Sequence, residues 1–317
     1  MNPASTRVVF MGSPPFAVPS LQALADAGHE LVAVVTQPDR PAGRGGAIKP
    51  SPVKAAAALL GIQILQPLTL KDDATRSVLS ALRPHLFVVA AYGKILPGAL
   101  LAMPSRGALN VHASLLPRWR GPSPITAAIL AGDASTGVTI MEMSAKMDAG
   151  PAIAQAAWAL DPSATAGQVE PLLAALGART LLEALPPWFD GQLAASPQDE
   201  SLVTYCPFLR KEDGHLRATM TVAEAERAVR AYNPWPGAFV EYRGERLAIW
   251  AARTESGPAG AEGAPGALVL SGGLPAIAFA DGLLALETVQ RPGARSIAGR
   301  DFANGERGRL APSVGLA

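Results

Sequence analysis

At 317 residues, 49% of them hydrophobic and 17% charged, the chain exceeds one small domain and is too apolar to remain disordered. A net charge of +1 excludes an overall basic field, so nucleic-acid contact must come from local clusters of Lys and Arg. Cys206 is the single cysteine, which excludes an intramolecular disulfide framework and a multi-cysteine zinc site, gives little support for a thiol nucleophile, and suits a reducing compartment.

The start, MNPASTRVVFMG, is neither a basic region leading into a long apolar stretch nor a lipidation signal. Apolar runs elsewhere are broken well short of about 18 residues, so the expectation is a cytoplasmic protein without a membrane segment. Residues 1–189 alternate β-rich runs with helix-like segments, the pattern of a parallel sheet covered by crossover helices. Strands are expected at Arg7 to Met11, Leu31 to Thr36, Ile62 to Leu65, Leu86 to Ala90, Ala108 to Val111 and Val138 to Met141. Helices are expected near Phe16 to Ala27, Pro52 to Leu60, Asp72 to Leu82 and Ile125 to Ala131. The fold class is therefore α/β, a Rossmann-like open parallel sheet.

A longer helix, Ala166 to Leu185, is expected to end before Pro186 and Pro187, and residues 190–208 read as a linker without apolar periodicity. Residues 209–317 begin with a helix from Val222 to Tyr232. They continue in short strand-like runs, AFVEYRG, RLAIWAA, GALVLS, PAIAFAD and GLLALETVQ, the spacing of a small β-barrel, OB-like in size.

The first strand-to-helix junction, VFMGSPPFAVPSL, carries only Gly12 of the three glycines a dinucleotide fingerprint needs, so Gly12 reads as a tight turn. In ALNVHASLLPRWRG, alternation puts Asn110 and His112 on one strand face with Val111 on the other, at the strand's carboxyl end. Ligands of open α/β sheets bind at those ends. Taken alone, Asn-x-His also fits a turn cap beside a hydrogen-bonded surface histidine. After it, Leu115 and Leu116 either line a pocket for a flat apolar ligand or plug the core, and Arg118 and Arg120 either meet an anion or are solvated.

Asp148, in SAKMDAGPAI, sits at a strand end or turn. A carboxylate close to His112 would orient the imidazole and stabilise its protonated form. The segment QPDRPAGRGGAIKPSPVK, residues 37–54, sets Arg40, Arg44, Lys49 and Lys54 against a single acid, Asp39, in an irregular loop suited to a phosphate backbone or to plain solvation. His29, His85 and His215 lack neighbouring acids or ligand spacing and receive no role.

In combination, SLLPRWRG after Asn-Val-His, the TGVTIM run, Met-Asp-Ala-Gly, QPDRPAGRG, VVAAYGKILP, NPWPGAF and AGRDFANG resemble the methionyl-tRNA formyltransferase family over nearly the whole chain. The resemblance implies transfer of a formyl group from 10-formyltetrahydrofolate to the α-amine of methionyl initiator tRNA. It places the catalytic residues on Asn110, His112 and Asp148, and the folate-binding segment on Ser114, Leu115, Leu116 and Pro117. Candidate tRNA contacts are Arg40, Arg44 and Lys49, with no metal and a monomeric protein expected. Leu216-Arg217-Ala218 departs from the family's usual aliphatic, Asp and aromatic sequence. The alternatives are a related folate-dependent formyltransferase acting on a sugar nucleotide or purine precursor, and a catalytically silent tRNA-binding protein.

Overall fold

A computed structural model describes residues 6–42, 47–255, 264–306 and 310–317. The chain divides into two compact units, one of Met1–Pro124, Ser135–Ala159 and Glu170–Pro207, the other of Ile125–Ala134, Leu160–Val169 and Phe208–Ala317. Residues 190–207, read above as part of a linker, thus belong to the first unit, and two excursions from the N-terminal half belong to the second.

Chain order opens with β1 (Arg7–Gly12), α1 (Val18–Asp26), β2 (Glu30–Val35), a pair of short strands β3 (Arg40–Ala42) and β4 (Ala47–Lys49), and α2 (Pro52–Leu59). It continues through β5 (Ile64–Leu65), α3 (Asp73–Ala81), β6 (Leu86–Ala90), α4 (Gly98–Leu101), β7 (Ala108–His112) and α5 (Pro124–Ala131). Then come β8 (Ser135–Glu142), β9 (Ala152–Ala159) and α6 (Ala166–Phe189). Seven strands form one sheet in the order β5-β2-β1-β6-β7-β8-β9. The β5, β2, β1, β6 and β7 ladders are parallel, and every residue of β6 is buried, as a strand covered on both faces requires. Two N-caps follow their expected chemistry, Ser51 accepting from the Lys54 N–H and Asp72 from that of Thr75.

Three local expectations are corrected. The sheet is mostly, not wholly, parallel: β8 runs antiparallel to β7, and β9, which the sequence reading missed, runs antiparallel to β8. The stretch between β8 and β9 is too short for the crossover of a dozen or more residues that a parallel pair needs. Second, α6 does not stop before Pro186 but runs to Phe189 with Pro171, Pro186 and Pro187 inside it. Leu181, Leu185 and Phe189, four residues apart, are all buried, so one apolar stripe holds the last turn helical despite the missing N–H donors. Third, the basic loop is not wholly irregular, since β3 and β4 pair antiparallel with Arg40 opposite Lys49.

Gly177 explains how α6 lies on the sheet. A Cβ there would come within 2.7 Å of Val111 Cγ1, so the helix covers the face of β7 that carries Val111 and leaves the Asn110 and His112 face to the site.

In the second unit α7 (Val222–Ala231) starts with a reciprocal cap between Thr221 and Glu224, followed by β10 (Ala238–Tyr242), β11 (Glu245–Glu255) and β12 (Leu268–Ser271). After them come β13 (Leu274–Phe279), β14 (Gly282–Gln290), β15 (Ile297–Ala298) and α8 (Gly299–Glu306). The antiparallel order is β10-β11-β14-β13-β12, with β15 added on β14. Its two edges meet through the C-terminal tail: Gly315 bridges Glu241 of β10, and Ser313 bridges Ala267 just before β12. The sheet therefore closes on itself and hides the edges that would otherwise be exposed. Its core gathers Leu216, Val229, Val240, Ile249, Leu284 and Phe302. At the family departure, Leu216 is fully buried there and the Ala218 N–H donates to the Ala317 carbonyl, so the altered residues are absorbed by barrel packing and the tail.

Deleting residues 312–317 removes the backbone bonds of Leu268, Val314, Gly315 and Glu241 that close the barrel. At about 1 kcal/mol per hydrogen bond, the expected loss is about 3 kcal/mol or more of unfolding free energy. Chemical denaturation of the truncated and full chains checks it; an unchanged midpoint would contradict the closure.

Candidate active site

The carboxyl ends of β1, β2, β6 and β7 lie along one edge of the parallel sheet, and Asn110 and His112 stand at that end of β7. His112 ends β7 opposite Thr139 of β8, which in turn lies opposite Gln155 of β9. Residues directly opposite in antiparallel strands share a face, so these three side chains form one row across the sheet.

His112 is 6% exposed, and each ring nitrogen faces an oxygen. Nε2 lies 3.0 Å from the Trp119 carbonyl oxygen, which can only accept, so Nε2 carries a proton in either charge state. Nδ1 lies 3.7 Å from Asp148 Oδ2, close enough for charge attraction yet beyond a hydrogen bond. Asp148 also accepts from the Gly121 N–H at 2.9 Å through Oδ2 and from Asn110 Nδ2 at 3.5 Å through Oδ1. The structure thus brings Asn110, His112 and Asp148 together around one carboxylate.

Tight backbone makes this arrangement possible. Asp148 adopts a left-handed φ of 48° and Trp119 one of 62°. Gly121, at φ 121°, has no room for a side chain, since a Cβ would lie 2.1 Å from the Cys206 carbonyl oxygen. Gly150 is equally constrained, at 1.7 Å from the Glu142 oxygen.

Of residues 114–117, Ser114 and Leu116 are buried while Leu115 and Pro117 are half-buried. Ser114 Oγ donates to the Arg118 carbonyl at 2.6 Å. Thr139 Oγ1 donates to the Ser114 carbonyl at 2.7 Å and accepts from the Leu116 N–H at 3.0 Å. Gln155 Nε2 donates to the Leu116 carbonyl at 2.7 Å and to Thr139 Oγ1 at 3.0 Å. Sequence reasoning missed Thr139 and Gln155, because only strand register reveals that they stand beside His112.

The two arginines separate. Arg120 is only 2% exposed and is not a ligand contact: its guanidinium donates to Gln198 and to Glu200, the latter at 2.8 Å. The Glu200 hydrogen bond raises the Arg120 pKa above its usual value, and Arg120 in turn holds the Glu200 carboxyl below the usual carboxylate range. Arg118 is exposed, with its guanidinium 4.7 Å from the centre of the Trp119 ring.

Among the proposed tRNA contacts, Arg40 and Lys49 are exposed and directly opposite on the β3-β4 ladder, while Arg44 lies outside the described residues. Lys54 is committed to Asp39 at 2.5 Å. Lys94, donating to the Pro67 and Leu68 carbonyls, has its pKa lowered by burial and then by the charge of Arg40. Among the described residues no group of three or more His, Cys, Asp or Glu is arranged to hold a metal ion.

Residues 6–185 match the Formyl transferase family and residues 209–307 match the Formyl transferase C-terminal domain. The methionyl-tRNA formyltransferase of Roseiflexus sp. (strain RS-1) is 48% identical over 95% of this chain and 93% of its own. That of Stutzerimonas stutzeri (strain A1501) is 44% identical over 98% of each. In fold the chain is similar to the N-formyltransferase from Helicobacter canadensis solved with folinic acid and dTDP-3-aminofucose, with a TM-score of 0.66, 15% identity, and coverage of 90% of this chain and 99% of that one.

Cys206 tests the site's non-nucleophilic character. Its thiol is buried, accepts from the Ser123 N–H, and is pushed up to about 11 by burial. At pH 8 the folded protein is expected to react with iodoacetamide at least about tenfold more slowly than the unfolded chain. Equal rates would show the thiol to be open.

Proposed function

The chain belongs to the methionyl-tRNA formyltransferase family, and from that membership we propose that Asn110, His112 and Asp148 are the catalytic set of its formyl transfer. The enzyme transfers the formyl group of 10-formyltetrahydrofolate to the α-amino group of methionyl initiator tRNA. Neither a sugar-nucleotide substrate nor a silent tRNA-binding role is favoured by relatives of this identity and coverage.

The observation that carries the residue assignment is the commitment of His112. With Nε2 held by the Trp119 carbonyl, Nδ1 points toward Asp148 without being closed off by it. A neutral amine attacking the formyl carbon builds negative charge on the formyl oxygen. Protonated His112, through Nδ1–H, and the Asn110 amide would donate to that oxygen, each well-placed donor being worth about 3 to 4 kcal/mol. Asp148 would orient His112 and accept the amine's proton through water. These residues need no metal and form no covalent enzyme intermediate.

Ser114 to Pro117 would wall the folate, with Thr139 and Gln155 fixing their backbone. Arg40, Arg44 and Lys49 would follow the phosphates of the tRNA, each contact adding salt-dependent affinity. Residues 1–189 are read as the catalytic domain, 190–208 as a connector of which residues 190–207 pack within the first unit, and 209–317 as the barrel domain that contributes to tRNA binding. No helix among the described residues is long and apolar enough to cross a membrane. We read the enzyme as a cytoplasmic monomer, the buried lone thiol suiting a reducing compartment.

In an assay of formyl transfer from 10-formyltetrahydrofolate onto charged initiator tRNA, with charged elongator tRNA as control, His112→Ala and Asp148→Ala are each expected to lower kcat at least about tenfold. Near-normal turnover of either would sink the assignment. In the same assay Arg40→Ala and Lys49→Ala are expected to raise the KM for tRNA and flatten its salt dependence while leaving kcat within about twofold. An unchanged KM would remove the hairpin from the tRNA site.

A further inference from the structure

Deepening that reading, the connector supplies part of the site. We propose that Gln198 is a positioning residue for formyl transfer, fixing the turn that carries Asp148 and coupling it to Arg120; the proposal rests on Asp148 being catalytic.

The geometry is a closed ring. Gln198 Oε1 accepts from Arg120 Nε at 3.0 Å, while Gln198 Nε2 donates to the Asp148 carbonyl at 2.9 Å and to the Gly150 carbonyl at 2.6 Å. The next residue after Arg120, Gly121, donates its N–H to the Asp148 carboxylate at 2.9 Å. Asp148 is therefore gripped twice, at its side chain by residue 121 and at its backbone by a side chain anchored on residue 120. Arg120 is itself pinned: its N–H donates to the Thr204 carbonyl at 2.9 Å and its carbonyl accepts from the Cys206 N–H at 2.8 Å.

Only an amide of this length fits both ends. Each hydrogen of its NH2 has a separate carbonyl to meet, and its oxygen has a guanidinium. Glutamate would keep the acceptor for Arg120 and lose the donors to the Asp148 turn, whereas methionine would lose both. The turn has little freedom to settle elsewhere, because Gly150 already lies against the Glu142 carbonyl with no space for a Cβ. Without Gln198, the left-handed Asp148 keeps its fold neighbours but loses the two donors that aim its backbone, and with it the aim of the carboxylate at His112.

The experiment uses the full chain and measures kcat, both KM values and thermal melting for Gln198→Met and Gln198→Glu, alone and combined with Asp148→Ala. Expected are a loss of kcat of about tenfold or more in both single variants, KM values within about twofold, and melting within a few degrees. On the Asp148→Ala background, the additional loss in single-turnover rate is expected to shrink below about twofold, because Gln198 acts through that residue. Full kcat in Gln198→Glu would mean that the amide only anchors Arg120, and full kcat in Gln198→Met that it positions nothing; either overturns the proposal. Losses that add fully to those of Asp148→Ala would mark a general structural role and also overturn it. Where Gln198→Met does not fold, Gln198→Glu decides by the same measurements. Full turnover by Asp148→Ala itself would instead overturn the catalytic reading beneath the proposal.

Discussion

Both ionisable side chains of the site are held by one short stretch of backbone, residues 119–121. The Trp119 carbonyl accepts a hydrogen bond from His112 Nε2–H, and two residues later the Gly121 N–H donates to Asp148 Oδ2. A carbonyl and an N–H can converge on neighbouring side chains only because the chain turns sharply between them, through a left-handed Trp119 and a glycine at φ 121°. Left-handed conformations cost L-residues about 1 to 2 kcal/mol each, and Asp148 adds a second such residue to the same site. A hydrogen bond to a charged group returns about 1.5 to 3 kcal/mol. The carboxylate's bonds are thus large enough to offset the strain that aims it, which ties the conformation of the turn to the presence of the charge.

Beneath that loop lies a more rigid layer. The row His112, Thr139, Gln155 joins β7, β8 and β9, and Thr139 and Gln155 fasten the backbone of residues 114–116. The antiparallel strands that break the otherwise parallel sheet therefore have a chemical consequence. They bring side chains alongside the end of β7 that a further parallel strand, entered from a crossover helix, would have to supply at a different register. Gly137 belongs to the same construction, since a Cβ there would strike the Ala156 carbonyl at 2.2 Å and Leu115 Cδ2 at 2.7 Å. Strand, clamp and the segment at residues 114–117 are packed too closely for one to move without the others.

What the sequence made legible was whatever depends on local pattern. The β7 run and its break after His112 put Asn110 and His112 on one face at the right edge, and the buried β1 and β6 runs announced a covered sheet. What it hid depends on distant pairing. Gln155 sits in AIAQAAWA, an alanine-rich stretch with weak strand preference that becomes β9 only by pairing with β8. Pro186 and Pro187 signalled a helix end locally, yet the buried Leu185 and Phe189 on either side overrode them. Residues 190–207 looked like a spacer because a segment that binds through backbone and single polar side chains shows no apolar period.

Arg120 shows why residue type alone misleads. An arginine just after an Asn-x-His strand end invites an anionic ligand, but a guanidinium that is 2% exposed is excluded from one unless the ligand is buried with it. Burying such a cation costs several kcal/mol unless its donors are met by well-aligned acceptors. Here three donors are met in one fan, Nε by the Gln198 amide and the two terminal nitrogens by the Glu200 carboxylate at 2.8 and 3.4 Å. A lysine, a single point charge with rotating donors, cannot hold an amide and a carboxylate in that plane. The charge joins residues 198 and 200 to the loop at residues 119–121, the same loop that holds both His112 and Asp148.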